Sequence, residues 1–290
     1  MSTPINPLIP KLSRDVMAKV RRGIFHIETL EAAVRDWAKN STDIAHHTSP
    51  DGRTFEVELR VSSPPPIDEW GTMFGDAIHN LRSVLDAWMW EKANELSSVP
   101  INPLDVQFPV SKDGKAWRNW RSRMKPYIDA PLIEGLRVSQ PHLVTVEGQN
   151  ALLGLHDLDI IDKHRGFHDI RVLPKDVDKV DFTLDGPQGP GNDFRVESYT
   201  VPAETGGTIL KIEFDRPPLD IKLSKYFTWE TAFETDAGIH NTSESLRVFS
   251  EASQRYPLLA EYKAAKLRAE AVSNVSESDD DTTDDDDREK

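Results

Sequence analysis

Phe55-Glu-Val-Glu-Leu-Arg-Val61 alternates apolar and charged residues without a break. Successive side chains of an extended chain point to opposite faces. This period of two therefore predicts a half-buried strand over about 54–62. Pro64–Pro66 stop it, because proline cannot donate to a ladder. The strand lies between two long helical patterns, so its partner must come from further along the chain.

Upstream, Val16, Val20, Gly23, Ile27, Leu30, Val34 and Trp37 recur at spacings of four and three, after Ser13 as an N-cap. They predict one apolar stripe on a helix over about 13–39. Asn40 to Gly52 reads as a polar loop. Downstream, Asp68 caps a second long helix reaching about Leu96. Phe74, Ala77, Ile78, Leu81, Val84, Leu85, Trp88 and Met89 fill one side of its wheel. Asp76, His79, Asn80, Arg82, Ser83 and Asp86 fill the other. Residues 97–111 read as a connection, and a basic helix follows up to Pro126.

Asn150 and Gly166 bracket a helix over about 151–165. From about 167 to 235 the pattern becomes a strand meander with Gly/Pro turns at 186–191 and 206–207. Asn241 with Glu244 opens a last helix over about 242–256, and a charged helix over about 258–272 follows. Helices, a meander and a closing helix make an α+β fold: long N-terminal helices packed with a C-terminal antiparallel sheet. Because the 54–62 strand must join the later meander, residues 1–262 are expected to form one intertwined domain.

The charge is uneven. The chain carries 35 Lys+Arg against 49 Asp+Glu, a net charge of −14. Half of the excess sits in ESDDDTTDDDDREK at 277–290, a self-repelling run with nothing to bury, expected to be disordered. It serves as a solubilising tail, or as an arm that meets a basic protein partner or guards a basic site on its own chain. Between Lys112 and Lys125 the sign reverses. Lys112, Lys115, Arg118, Arg121, Arg123 and Lys125 surround Trp117 and Trp120, against the single acid Asp113. Basic residues interleaved with aromatics suit an anionic ligand or nucleic acid. A solvated helix with its tryptophans turned inward is the plainer alternative.

With no cysteine, a disulfide framework, a thiolate metal site and a thiol nucleophile are all excluded. No apolar run is long enough for a membrane span, and no secretory signal is legible, so a soluble cytoplasmic protein is expected. No P-loop, dinucleotide fingerprint or nucleophile elbow is present, and no cofactor can be named.

The concentrated polar residues are on two helices. His156, Asp159 and Lys163 share one face of the 151–165 helix, and His79, Arg82, Ser83 and Asp86 share one face of the 68–96 helix. Should the two faces meet, they assemble imidazoles, carboxylates, an Arg and a Lys. Those groups suit acid–base chemistry on a phosphate-containing substrate. They equally suit a structural ion network. His156, Asp159, Asp162 and His164 give only a weak metal pattern, so no metal is assigned. Arg21 and His26 have the Arg-x4–6-His spacing of some helical ribonucleases, a pairing that arises readily by chance. His46-His47 are expected in an exposed loop.

Asp76-Ala-Ile-His-Asn-Leu-Arg-Ser-Val-Leu-Asp86 and Leu152-Leu-Gly-Leu-His-Asp-Leu-Asp-Ile-Ile-Asp-Lys-His-Arg165, with Phe108-Pro109 and Gln140-Pro141 between them, resemble an uncharacterised family of bacterial and phage proteins. The resemblance covers about 70–166. It carries no established activity, but it makes the two motifs the candidate site: His79, Asn80, Arg82 and Asp86 with His156, Asp162, Lys163, His164 and Arg165. Many members have a His after the Leu-Asp pair; here that position is Ala87. An interaction or regulatory protein is the expectation, with a His/Asp/Arg/Lys enzyme as the alternative.

Overall fold

The computed structural model describes residues 10–143, 150–165, 170–175, 182–185, 193–199, 201–218, 220–223, 228–235 and 238–280. The chain folds as α+β, as its pattern predicts. Its elements are α1 (Arg14–Ser41), β1 (Thr42–Thr48), β2 (Thr54–Val61), α2 (Ile67–Leu96), α3 (Gly114–Met124), α4 (Ala130–Arg137), α5 (Ala151–Arg165), β3 (Ile170–Lys175), β4 (Phe182–Asp185), β5 (Phe194–Ser198), β6 (Gly207–Phe214), β7 (Asp220–Leu223), β8 (Thr228–Thr235), β9 (Gly238–Asn241) and α6 (Thr242–Asp280). The chain divides into two compact units, each built from separated stretches. One comprises 1–24, 76–165 and 247–290, and the other comprises 25–75 and 166–246.

The first unit is helical. Ser13 caps α1, its Oγ accepting from Val16 N at 3.1 Å. From α2, Ala77, Ile78, Leu81, Val84, Leu85, Trp88 and Met89 are buried, which is the apolar side of the predicted wheel. A Cβ at Gly23 would lie 2.6 Å from Leu81 Cδ2, so the missing side chain lets α1 approach α2 closely. Asn150 caps α5 through Leu153 N at 3.1 Å.

Two features of this unit depart from expectation. Helix α4 was not foreseen, although Asp129 caps it by accepting from Leu132 N at 3.1 Å. At eight residues it is too short for a periodic signal. The two closing helices are one, α6, with Pro257 inside it. A proline in a helix interior costs about 3 kcal/mol. Here Phe249 and Ala252 before it, and Ala260 and Ala264 after it, are all buried. That continuous apolar contact outweighs the break. The acidic run lies outside the described residues from 281 onward.

The second unit holds every described strand, and all described pairings are antiparallel. They form three sheets: β1-β2-β6-β5, β3-β8-β9 and β4-β7. Strand β2 does join the later strands, pairing with β6. Its apolar residues Phe55, Val57 and Leu59 face Ile209, Leu210, Ile212 and Phe214 in one buried cluster. The loop expected at 40–52 contains β1, joined to β2 by a turn in which Gly52 takes φ +70°. Ile44 is the one large apolar residue of β1, so an edge strand of this kind leaves no alternation to read. The short strands β7 and β9 were missed for the same lack of pattern. The turn glycines at 186–191 and the C′ residue Gly166 fall outside the described residues.

Candidate functional site

The polar faces of α2 and α5 meet within the helical unit. His79 Nδ1 donates to Asp159 Oδ1 at 3.1 Å, across 80 residues of sequence. Lys163 Nζ donates to the other oxygen, Oδ2, at 2.6 Å. The Asp159 side chain is only 5% exposed, against 52% for His79 and 44% for Lys163. A buried carboxylate thus accepts from two half-exposed donors, the Lys163 ammonium from its own helix and the His79 imidazole from α2. Its acceptance fixes the Nδ1–H tautomer of His79 and leaves Nε2 without a described partner.

Arg82 and Asp86 belong to a different, closed network. Arg82 Nη1 donates to Asp86 Oδ1 at 2.8 Å, and its Nη2 donates to Phe108 O at 3.2 Å. Phe108 N donates to the same Asp86 oxygen at 2.9 Å. Neighbouring residues of this segment are held the same way. Trp120 Nε1 donates to Gln107 O at 2.8 Å. Gln140 Nε2 donates to Pro109 O at 3.3 Å and to Leu136 O at 3.1 Å, while its Oε1 accepts from Ser111 N at 3.0 Å. Ser111 O accepts from His142 N and from His142 Nδ1. Gln140 has no exposed surface. The Phe-Pro segment is therefore pinned to α2 by Arg82 and Asp86 and to the Gln-Pro segment by Gln140, side chains that satisfy backbone groups lacking helix or sheet partners.

His156 lies beside this network. Its Nδ1 is buried without a hydrogen-bond partner. Burial first, and the Arg82 charge second, hold its pKa below the ordinary value of 6.5. The ring is therefore neutral at pH 7. A neutral imidazole beside a buried guanidinium is a poor anion clamp. It remains chemically able to accept a proton once the pH falls.

The other expected site residues are placed as follows. Asn80 Nδ2 donates to Asp76 O at 2.8 Å, within its own helix. Asp162 is half-buried on α5, and no described residue pairs with it. His164 and Arg165 close α5, but their side chains lie outside the described residues. Gln140, Ser111 and His142 were not read as site residues. The Gln-Pro dipeptide signals a turn and says nothing of which carbonyls the amide will meet. Among the described residues no group of three or more His, Asp or Glu side chains can hold a metal ion. Arg21 is exposed on α1 and His26 is buried. His46 and His47 stand on β1, where His47 Nε2 lies 3.1 Å from Glu58 Oε2.

Helix α3 presents a second candidate. Asp113 caps it, accepting from Ala116 N at 2.7 Å. Trp117, Trp120 and Met124 are buried, and the two indoles stack on each other at 5.0 Å. They cannot stack on bases, so the interleaved pattern does not make an aromatic platform. What remains outside is charge. Lys115, Arg118, Arg121, Arg123 and Lys125 are exposed, and none forms an ion pair with an acidic side chain among the described residues, although the Lys115 charge acts on Asp113 at the head of the helix. Lys112 is the exception, its Nζ 2.9 Å from a carboxylate oxygen of Asp157.

No helix among the described residues is long and apolar enough to cross a membrane. No family model, no curated protein and no solved structure matches this chain.

Proposed function

We propose that this chain is an interaction and regulatory protein that docks a nucleic-acid phosphate backbone on the outer face of α3. It acts in the cytoplasm and belongs to the bacterial and phage family its two motifs resemble. One observation carries the reading: five cations on and just after an 11-residue helix stand exposed with no described ion pair, in a chain of net charge −14. Unpaired like charges held side by side repel each other and give the fold nothing. A polyanion turns them into favourable contacts and releases its counterions. With both tryptophans turned inward, the contact is to phosphates and is blind to sequence.

Anisotropy of a labelled 20-base-pair duplex at low salt tests this. Binding is expected to weaken with salt, with a log–log slope of about −4.5 for five phosphate contacts. Glutamine at Lys115, Arg118, Arg121, Arg123 and Lys125 should abolish it while leaving the thermal midpoint within about 2 °C, because exposed charges contribute little to stability. Binding that survives those five substitutions removes the reading.

A second reading rests on His79. A histidine held by a buried carboxylate, with its other nitrogen unpartnered and Lys163 alongside, has the arrangement of a general base next to an anion contact. It would act on a phosphate-containing substrate. Hydrolysis of a phosphodiester substrate that is lost in His79→Gln, with the fold intact, would support it. Equal turnover by parent and variant would remove it.

A further inference from the structure

Strand β5 closes one side of the four-stranded sheet, and among the described residues no strand pairs with its outer side. Asp193 O accepts from Asp215 N at 3.1 Å, and Tyr199 N donates to Ile209 O at 2.9 Å. Both bonds run inward, toward β6. Hydrogen-bonding direction alternates along an antiparallel strand. Arg195 and Glu197 therefore also bond inward, while Val196 and Ser198 turn their backbone N–H and C=O outward.

The side chains follow the same alternation. Phe194 and Val196 stand opposite Phe214 and Ile212 of β6, on the apolar face that holds the buried cluster. Phe214 and Ile212 are buried, but Phe194 is 49% exposed and Val196 is 43% exposed. The apolar face thus runs out uncovered at β5. The other face carries charge. Arg195 stands opposite Glu213, and Glu197 stands opposite Lys211, which in turn faces Glu56 of β2. The sign alternates from strand to strand and ends at β5 with Arg195 and Glu197, themselves paired at 2.8 Å.

A sheet edge is commonly guarded by charge that repels a second copy of itself. Phe194-Arg-Val-Glu-Ser198 lacks that guard, because its two charges are opposite in sign and flank Val196 on either side. We infer that β5 pairs with β5 of a second copy of this chain, antiparallel and centred on Val196. Val196 then meets the partner's Val196 as a hydrogen-bonded pair, through the backbone groups that already point outward. Arg195 lies directly opposite the partner's Glu197, in the non-hydrogen-bonded position where side chains approach most closely. Each row of charge continues its alternation, from Glu213 through Arg195 to the partner's Glu197 and the partner's Lys211. The exposed apolar side chains of both copies fall on one face and extend the same layer. Centring the pair on Arg195 or on Glu197 instead sets like charges opposite each other, so the charges select the register. The pairing uses the same edge of both copies and closes at two. A strand of five residues buries little area, so the dimer is weak and reversible. It stands independently of the nucleic-acid reading.

Sedimentation equilibrium of the full-length chain across the micromolar range tests this. The parent is expected to pass from monomer to dimer as its concentration rises. Val196→Pro removes an outward N–H and no bond to β6, and should stay monomeric with an unchanged far-UV circular dichroism spectrum. Arg195→Glu and Glu197→Arg each set like charges across the pair, and each should be monomeric where the parent is dimeric. An equimolar mixture of those two variants restores an Arg–Glu pair at every cross-strand position, and should recover the dimer. That recovery also shows that both variants are folded. A parent that stays monomeric throughout overturns the inference. So does a dimer that persists in Val196→Pro and in both charge variants, or a mixture of the charge variants that fails to associate.

Discussion

Arg82 and Asp86, one turn apart on α2, grip opposite backbone groups of the same residue. Arg82 donates to the Phe108 carbonyl at 3.2 Å, Asp86 accepts from the Phe108 amide at 2.9 Å, and the two side chains join each other at 2.8 Å. The closed ring lets the chain pass α2 in an irregular conformation without stranding a polar group. The Arg82 side chain is 7% exposed and that of Asp86 is 40%. Most of the desolvation therefore falls on the arginine.

Arg82→Ala should lower the unfolding free energy by about 3 kcal/mol, because it leaves the Phe108 carbonyl without its donor and the Asp86 carboxylate without its cation. Arg82→Lys should recover less than half of this. An ammonium is a point charge and cannot reach two acceptors in the fixed fork of a guanidinium. Urea unfolding monitored by tryptophan fluorescence measures both. A loss below about 0.5 kcal/mol in the alanine variant would show that the ring contributes no stability.

Gln140 makes three hydrogen bonds with no exposed surface. Gln140→Ala is expected to cost about 2–3 kcal/mol, and Gln140→Glu at least as much at pH 7. The glutamate would present an acceptor to two carbonyls and bury a charge. Thermal midpoints of the two variants give the order directly.

At Gly135 the helix backbone of α6 leaves no room for a side chain, with Ala260 O 2.3 Å from an added Cβ. Alanine in a helix normally gains about 1 kcal/mol over glycine. Here the sign should reverse, with Gly135→Ala losing roughly 2 kcal/mol or more as α4 and α6 are forced apart. A raised midpoint would mean that the two helices part at little cost.

His156 makes stability depend on pH. Its folded pKa lies below the ordinary 6.5. As the pH falls past that value, the unfolded chain takes up the proton first. The stabilising contribution is therefore complete above about pH 6.5 and is lost as the pH drops toward the folded pKa. Unfolding free energies at pH 7 and pH 5 should converge in His156→Gln relative to the parent. Parallel slopes for the two proteins would remove His156 as the cause.

Much of the helical framework was legible because its causes are local. The stripe on α1, the segregated wheel of α2, the caps Ser13 and Asn150 and the alternation of β2 all report burial through neighbours a few residues away. Strand β1 and helix α4 escaped because an exposed edge and an eight-residue helix leave too few apolar positions to establish a period. The same holds inside the candidate site. Its residue types and their helix faces could be listed from spacing, yet nothing in the spacing separates His79, half-exposed, from Arg82 three residues later, fully engaged below the surface.

By itself, the sequence determined the α+β class, the long helices, the strand that reaches forward to a later partner, and the concentration of polar groups on two helix faces. Tertiary structure alone decided which of those groups share a bond. His79 meets Asp159 across 80 residues, Arg82 is spent on Phe108, and the tryptophans of α3 turn inward and leave its cations outside. Periodicity records whether a position is buried, since that is set by the element's own face. It carries no record of what lies opposite, because that partner arrives from a distant part of the chain and is selected by packing.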